Sequence, residues 1–259
     1  MLNTVVASID LSAFRHNLDV VRTLCPRSKV MAMVKADAYG HGLLAVAQAL
    51  GASDGFAVAR LQEAVLLRRA GIRQRILLLA TLLSSSDLVA CSDLEIDVTA
   101  HDRQSVESIV VHTRAAPLRV WLELDSGMHR MGLNPEAFIE ADRCLHAASG
   151  VVELIHLTHF SSAERAHEKT NLQEVASFKA CREAVSRAPA SLANSASLIL
   201  RSDTHGEWVR PGIMLYGVNP VAEQSSLPLR VAMTLRASII SDRTIGAGEP
   251  VGYNGRWNS

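Results

Sequence analysis

The chain has 259 residues, of which 48% are hydrophobic and 20% are charged, a balance that suits one large α/β barrel or two ordinary domains. Lysine plus arginine and aspartate plus glutamate each total 26, so the formal net charge is zero and the basic excess of a nucleic-acid-binding protein is missing. Such neutrality gives weak repulsion between copies, which favours self-association.

The predicted elements begin with a strand at Thr4–Asp10 and a helix at Leu11–Leu24. Eight apolar runs then predict strands, several of them buried on both faces: Val30–Val34, Gly55–Ala59, Ile76–Ala80, Ile96–Thr99, Arg119–Leu124, Val151–Leu157, Ser191–Asn194 and Gly212–Tyr216. Helical patterns between them cover Gly42–Leu50, Leu61–Ala70, Asp102–His112, Pro135–Ala148, Glu168–Ser186 and a short turn at Ser197–Leu200. Asn134 before Pro135 is a typical helix start.

Repeated strand–helix units predict a parallel sheet, and eight strands over roughly 200 residues fit a TIM (β/α)8 barrel. A doubly wound open sheet is the alternative, but it needs a glycine-rich phosphate turn after its first strand, and the segment that begins at Lys35 is not one. After the barrel, Leu229–Ser241 is rich in β-forming residues and Glu249–Tyr253 starts another predicted strand.

We therefore assign residues 11–225 to the barrel and residues 226–259 to the beginning of a C-terminal β domain. Residues 1–10 are expected to form a strand of that same β domain. The last predicted hairpin is interrupted at Ser259, so we expect the β domain to be incomplete.

Four widely separated cysteines, Cys25, Cys91, Cys144 and Cys181, show neither a C-x-x-C motif nor metal-ligand spacing. They predict reduced, buried thiols in a cytoplasmic protein without a metal site. The N-terminus lacks a basic stretch before a long apolar run, and no apolar stretch is long enough to span a bilayer. We therefore expect neither a signal peptide nor a membrane protein.

Lys35 follows the apolar strand Val30–Val34, and side chains at the carboxyl ends of barrel strands face the active site. Partial desolvation there lowers the pKa of a lysine amine and makes it a better nucleophile, as Schiff-base chemistry with an aldehyde requires. Taken alone, a solvated lysine at a strand end is the simpler interpretation. Tyr39 then offers a phosphate a hydrogen-bond donor, although a half-buried loop aromatic is the alternative for this residue.

The segment from Met33 to Gly42, with the sequence MVKADAYGHG, resembles the pyridoxal-phosphate signature of alanine racemases. Further segments match motifs of that family in the family's order: Leu124–Gly132, Leu157–Phe160, Ala193–Ala196, Val209–Ile213 with Tyr216–Gly217, and Pro250–Tyr253. A single motif of this kind is weakly specific, whereas the ordered set is highly specific.

The resemblance implies an enzyme that interconverts L-alanine and D-alanine with pyridoxal phosphate. It also implies a cytoplasmic homodimer that supplies D-alanine for peptidoglycan. Lys35 is expected to hold the cofactor and to act as one catalytic base. Tyr253 matches the second base, which in the family reaches the active site of the partner subunit. Two bases on opposite faces of a planar carbanion are what racemisation needs.

The resemblance also assigns cofactor and substrate contacts. Arg210 matches the arginine that hydrogen-bonds the pyridine nitrogen, and His159 matches the histidine that orients this arginine. Because an arginine only donates, it leaves that nitrogen unprotonated and weakens the ring as an electron sink, which favours racemisation over decarboxylation. Arg130 matches a residue near the ring hydroxyl and the substrate carboxylate. The remaining cofactor contacts match Tyr39, Asn194, Ser195, Gly212 and Ile213.

One departure from the family concerns Glu123. Many members have a carbamylated lysine two residues before the aspartate that matches Asp125, and its negative charge holds the arginine that matches Arg130. We hypothesise that Glu123 supplies this charge directly, with a bridging water because glutamate is shorter. A neutral Glu123 far from Arg130 would contradict the hypothesis.

The other departure is that family members continue past this point and complete the β domain. We expect a chain shortened by truncation or frameshift, with much reduced or absent racemase activity. A pyridoxal-phosphate-binding barrel without efficient turnover and an inert folded fragment are the alternatives. The extension Leu229–Tyr253 argues against the first of these alternatives.

Overall fold

The structure is a computed structural model that describes residues 5–79, 83–165, 168–185 and 187–259. The chain forms two compact units. The larger unit is Asp10–Ala232, and the smaller unit combines Met1–Ile9 with Met233–Ser259.

The larger unit is a closed barrel of eight parallel strands. Strand β1 (Val5–Ile9) belongs to the smaller unit. The barrel strands, in chain order and in spatial order, are β2 (Lys29–Met33), β3 (Gly55–Val58), β4 (Arg75–Leu78), β5 (Ile96–Ala100), β6 (Leu118–Leu124), β7 (Val151–Thr158), β8 (Ala190–Ser191) and β9 (Trp208–Val209). Pairing of Val30 with Val209 closes the barrel. The prediction of a TIM barrel is therefore confirmed, and the open-sheet alternative is excluded.

Helices alternate with these strands: Leu11–Leu24, Leu43–Ala49, Leu61–Arg69, Ser85–Asp93, Arg103–His112, Pro135–Ala147, Lys169–Glu183 and Ser195–Leu200. Polar caps fix where several of them begin, because a side-chain oxygen satisfies a free amide of the first turn. Asp10 accepts a hydrogen bond from the Ser12 amide at 2.8 Å. The predicted cap at Asn134 is confirmed, since its side chain accepts from the Ala137 amide at 2.9 Å.

The predicted eighth strand, Gly212–Tyr216, is wrong. The eighth strand is β9, and Ile213–Tyr216 forms a 3-10 turn. A short apolar run cannot distinguish a buried strand from a buried turn. The helix Ser85–Asp93 was not predicted, because its apolar periodicity is weak. The predicted terminal residues Thr4, Ala80 and Ser186 lie outside the described residues.

A hydrophobic cluster fills the barrel interior, with members from six of the strands: Met31, Met33, Ala57, Leu77, Trp121, Ile155, Leu157 and Trp208. Trp121 is fully buried in this cluster. Filling of the interior by side chains is the usual state of a TIM barrel, which is a packed core and not a pore.

A network of charged residues lies at the amino-terminal ends of the strands. The fully buried Asp97 accepts hydrogen bonds from Arg119 Nε at 2.7 Å and from Trp121 Nε1 at 2.9 Å. Arg75 lies 3.4 Å from Asp97 and 2.5 Å from Glu153. This end of the barrel is thus closed by paired charges, which leaves the carboxyl ends of the strands for a site.

The smaller unit consists of two antiparallel strand pairs. Strand β1 pairs with β10 (Met233–Ala237), and β11 (Pro250–Val251) pairs with β12 (Trp257–Asn258). A 3-10 turn at Tyr253–Gly255 connects β11 and β12. The β-rich run Leu229–Ser241 therefore forms a strand only in its middle.

The four cysteines are free thiols. Cys25, Cys91 and Cys181 are buried as predicted, whereas Cys144 is exposed on the helix Pro135–Ala147. Within the described ranges, no helix has both the length and the apolar character needed to cross a membrane. The same ranges hold no group of three or more potential metal ligands.

Candidate active site

A cavity of about 500 Å³ opens at the carboxyl ends of the barrel strands. Its lining includes every predicted site residue of the larger unit: Lys35, Tyr39, Arg130, His159, Asn194, Ser195, Arg210, Gly212 and Ile213. Glu123 lines the cavity as well. Tyr253 belongs to the smaller unit, where it is 96% exposed in the turn Tyr253–Gly255.

Lys35 begins an unusual left-handed turn, Lys35–Gly40, which is separated from the end of β2 by Val34 alone. The four residues 36–39 have φ between 52° and 55° and ψ between 36° and 53°. A left-handed helical conformation costs a residue other than glycine about 1–2 kcal/mol. The surrounding structure must therefore hold the turn. The glycines Gly40 and Gly42 predicted a tight turn, but the sequence did not predict four consecutive left-handed residues.

Hydrogen bonds from outside the turn hold it in place. The Asp37 amide donates to Glu63 Oε1 at 3.0 Å. Glu63 Oε2 accepts from the amides of Ala59 at 3.1 Å and Arg60 at 3.2 Å, just after β3. The Asp37 carboxylate in turn accepts from the Leu43 amide at 2.7 Å, at the start of the next helix. The turn is thus tied both to the end of β3 and to the helix that follows it.

An aromatic cluster supports the turn from its other side. The Tyr216 ring lies 4.8 Å from those of Tyr39 and His41, and 5.2 Å from that of Phe14. The Tyr216 hydroxyl donates to the Met33 carbonyl at 2.9 Å. Burial raises the pKa of both tyrosines above the ordinary value, so both hydroxyls stay protonated donors. Tyr216 lies in a family motif, but the sequence analysis assigns it no role of its own.

The environment of Lys35 favours the neutral amine. Burial lowers the pKa of Lys35, and the positive charges of Arg130 and Arg210 lower it further, whereas Glu63 acts in the opposite direction. A neutral amine is the nucleophilic form. The predicted lowering of the Lys35 pKa by partial burial is thus present, and the charges of two arginines are a second cause.

Arg210 is buried and fixed by several acceptors. Its Nη1 donates to the Ser191 carbonyl at 2.8 Å and to the Ser191 hydroxyl at 2.7 Å. Its Nη2 donates to the Thr158 carbonyl at 2.6 Å and approaches His159 Nδ1 at 3.4 Å. Burial lowers the pKa of Arg210 to about 10, which still leaves it protonated at neutral pH, and Glu123 opposes this shift.

His159 lies beside Arg210 as a neutral ring. Because arginine has donors only, Nδ1 of His159 must accept from it, which leaves the proton on Nε2. Burial, together with Arg210, Arg130 and Lys35, lowers the pKa of His159 to about 3. Contact of a neutral His159 with Arg210 is what the predicted orienting role requires.

Beside Tyr39, the residues Ser195, Gly212 and Ile213 form one part of the cavity wall, which we call the glycine cradle. Ser195 Oγ accepts from the Gly212 amide at 2.9 Å. A Cβ atom on Gly212 would lie 2.9 Å from the Tyr39 hydroxyl oxygen, so only glycine leaves this space open. Asn194 has a structural role, since its Oδ1 accepts from the amides of Ala196 and Ser197 at 3.1 Å each and caps the short helix.

Glu123 is buried in the cavity wall on β6. Burial raises the pKa of Glu123, and the neighbouring basic side chains oppose this, with Arg210 having the largest effect, followed by His101 and then Arg130. Among the described residues, no ion pair or hydrogen bond joins Glu123 to Arg130. The charge of Glu123 therefore acts first on Arg210, and the hypothesis that it holds Arg130 remains a prediction.

Arg130 lies on the compact loop between β6 and the helix Pro135–Ala147. Asp125 Oδ1 accepts from the Gly127 amide at 3.0 Å and from the His129 amide at 2.9 Å. Asp125 Oδ2 also bonds His129 Nδ1 at 2.9 Å. The Asp125 carboxylate thus organises the loop internally and presents Arg130 to the cavity.

The comparisons with known proteins agree with this geometry. Residues 9–220 match the family described as alanine racemase, N-terminal domain. The alanine racemase of Vibrio atlanticus is 39% identical over 261 residues, which cover 100% of this chain and 73% of that protein. The biosynthetic alanine racemase of Pseudomonas aeruginosa has a TM-score of 0.93 at 39% identity, with 100% of this chain and 73% of that chain covered.

The structure of alanine racemase from Bartonella henselae, with covalently bound pyridoxal phosphate, has a TM-score of 0.86 at 27% identity. That match covers 99% of this chain and 72% of that chain. The family match spans most of the chain, and the curated relative exceeds a third in identity over the whole of it. The chain therefore belongs to the alanine racemase family of pyridoxal-phosphate-dependent isomerases.

Proposed function

We propose that this chain binds pyridoxal 5'-phosphate through Lys35 and interconverts L-alanine and D-alanine. The observation that carries the proposal is the convergence of a desolvated lysine, a buried arginine and an open glycine cradle on one cavity. The covalently bound cofactor of the Bartonella henselae relative supports it.

The residues present fit the cofactor at each of its ends. Tyr39, the Ser195 hydroxyl and the backbone amide of Ile213 offer donors for a phosphate, while the Gly212 amide orients Ser195 by donating to its Oγ. The missing side chain at Gly212 keeps the space free. Arg210 offers a charged donor for the pyridine nitrogen. Lys35 supplies the nucleophilic amine.

Pyridoxal phosphate, when bound, supplies an aldehyde carbon for covalent attachment and a conjugated ring that delocalises negative charge from the α-carbon. In our proposal, Lys35 moves the α-proton on one face of the substrate, and Tyr253 of a partner subunit moves it on the other. Arg130 binds the substrate carboxylate. Arg210 holds the ring nitrogen by donation alone, which limits side reactions that need a protonated nitrogen.

The finer parts of the proposal come from the family. We propose a cytoplasmic homodimer that supplies D-alanine for peptidoglycan, with residues 11–225 as the cofactor-binding barrel and residues 1–10 and 226–259 in a β domain. Tyr253 is 96% exposed, as we expect in a single chain of a residue that enters the site of a partner subunit. The second candidate function is a barrel that holds the cofactor with little turnover.

Absorption spectroscopy and a racemisation assay test the proposal. Addition of pyridoxal phosphate should produce the visible band of a lysine-bound cofactor, and Lys35→Ala should abolish it. Lys29→Ala, at the other end of β2, is the matched control and should keep the band. Turnover of L-alanine then separates a racemase from a cofactor-binding barrel. No band in the unmodified chain would refute both candidate functions.

A further inference from the structure

The side chain of Glu63 connects two segments that frame the cavity. One carboxylate oxygen binds the Asp37 amide inside the left-handed turn, and the other binds the amides of Ala59 and Arg60. Ala59 itself lines the cavity. Glu63 belongs to the first turn of the helix Leu61–Arg69, so the bond to Arg60 alone is an ordinary capping interaction. The bond to Asp37 is not needed to cap that helix.

The turn needs an outside partner because it is strained. Its four left-handed residues lie directly between the Lys35 backbone and Gly40. If the turn relaxed to ordinary dihedral angles, the backbone directions of Lys35 and Tyr39 would both change. In the proposed function, Lys35 would bind the aldehyde of the cofactor and Tyr39 would bind its phosphate.

We propose that Glu63 is a positioning residue of the active site, which locks the left-handed turn and places the Lys35 amine and the Tyr39 hydroxyl together. This inference rests on the proposed function. The negative charge of Glu63 has a second effect, because it offsets the positive charges around Lys35. The ionisable groups around the Lys35 amine, besides Tyr39, are Glu63, Glu123, Arg130, His159, Glu164 and Arg210.

The test compares Glu63→Ala and Glu63→Gln with a matched control, Asp87→Ala. Asp87 closes the same kind of capping interaction on the helix Ser85–Asp93, since its carboxylate accepts from the Ser84 amide at 2.9 Å. The control therefore loses a cap of the same kind without a link to the turn. Glu63→Gln keeps an acceptor oxygen but loses the charge, and it serves if Glu63→Ala fails to fold.

The first readout is hydrogen exchange of the Asp37 amide in the protein without cofactor. We expect exchange to be about tenfold faster or more in Glu63→Ala, because the amide loses its acceptor. Asp87→Ala should leave it unchanged. This readout does not depend on the cofactor, so it still tests Glu63 if pyridoxal phosphate proves not to bind.

The second readout is the pH dependence of the reaction in which the Lys35 amine condenses with the aldehyde of added pyridoxal phosphate and releases water. In Glu63→Gln the midpoint should move to lower pH by on the order of half a unit, because two arginines then act on Lys35 with less opposition. A merely structural loosening would hydrate the amine and move the midpoint upward. Equal exchange at Asp37 and an unmoved midpoint in both Glu63 variants would overturn the proposal.

Discussion

Gly212 is the residue whose missing side chain matters most for the cradle. A Cβ atom there would meet the Tyr39 hydroxyl oxygen at 2.9 Å and Met33 at 3.6 Å. We expect Gly212→Ala to weaken pyridoxal phosphate binding about tenfold or more, which corresponds to about 1.4 kcal/mol. Equilibrium titration followed by absorbance measures the effect.

A second substitution shows why Gly212→Ala should weaken pyridoxal phosphate binding. If the added methyl group acts by displacing the Tyr39 hydroxyl, Gly212→Ala should cost much less in a Tyr39→Phe background, where that oxygen is absent. A double-mutant cycle reports the difference. Strictly additive losses would contradict the steric explanation.

His159 makes the stability of the barrel depend on pH. Its folded-state pKa is about 3, against about 6.5 in an unfolded chain. Between these values the unfolded chain binds a proton that the folded chain does not, so stability falls as the pH falls through this window. We expect His159→Gln to remove part of this acid loss, on the order of 2 kcal/mol near pH 4.5 once partial exposure is discounted.

Urea unfolding at about pH 7.5 and about pH 4.5 measures this difference. His146→Gln, on the surface of the helix Pro135–Ala147, is the control for replacing a histidine. An acid loss of the same size in the His159 variant and in the unmodified chain would show that His159 is not its source.

The sequence motifs identify residues that line the cavity, but they do not identify the residues that position them through hydrogen bonds. Lys35, Arg130, His159 and Arg210 were found through local motifs, since each motif is a contiguous segment. Glu63 was missed because its partner, Asp37, lies 26 positions away, and only the folded chain brings them together. Such contacts leave no local pattern.

At the scale of elements, the helix Lys169–Glu183 braces two loops of the site. Its buried Glu174 accepts from the Ser161 hydroxyl at 2.6 Å and from the Ser161 amide at 3.2 Å. Gly127 of the loop that carries Arg130 packs against it, because a Cβ atom there would lie 2.9 Å from Glu174 Cγ. The loops after β6 and β7 therefore share one support.

We expect Glu174→Ala to loosen the loop around Arg130. The substitution removes the side chain against which Gly127 packs. It also removes the charge-assisted hydrogen bond to Ser161, which costs about 1.5–3 kcal/mol, so trypsin should cleave after Arg130 about tenfold faster or more. Mass spectrometry of timed digests measures the rate. Glu183→Ala, at the exposed end of the same helix, should cleave like the unmodified chain. Unchanged cleavage in Glu174→Ala would show that the helix does not brace this loop.

The elements also show where sequence prediction succeeds and fails. Strands β2 to β7 have four to eight residues that are mostly apolar, and the predicted runs overlap all of them. Strands β8 and β9 have two residues each, which is too short for a periodic pattern. The longer apolar run Gly212–Tyr216 therefore predicts the last strand more strongly than Trp208–Val209 does, although it forms a buried 3-10 turn.

At the scale of the barrel, the two ends separate stability from chemistry. The amino-terminal end holds paired charges around Asp97, and the carboxyl end holds the cavity, with the hydrophobic cluster between them. In the part of the chain that the structure describes, the paired charges at the amino-terminal end do not contact the residues that line the cavity. A substitution at the amino-terminal end should therefore alter the unfolding of the barrel without altering cofactor attachment.

Asp97→Ala tests this separation, because it leaves Arg75 and Arg119 without their buried carboxylate. Removal of one partner from a buried ion pair costs about 3–5 kcal/mol, which in a unit of this size lowers the melting temperature by about 10 °C. Asp203→Ala is the control, since its pair with Arg201 is partly exposed and should contribute less than about 1 kcal/mol.

Calorimetry measures the melting temperatures, and absorbance at low temperature measures covalent attachment of pyridoxal phosphate at Lys35. Attachment should be unchanged in Asp97→Ala, since the hydrophobic cluster separates the two ends. Loss of attachment in a variant that remains folded would show that the amino-terminal end of the barrel and the cavity are coupled.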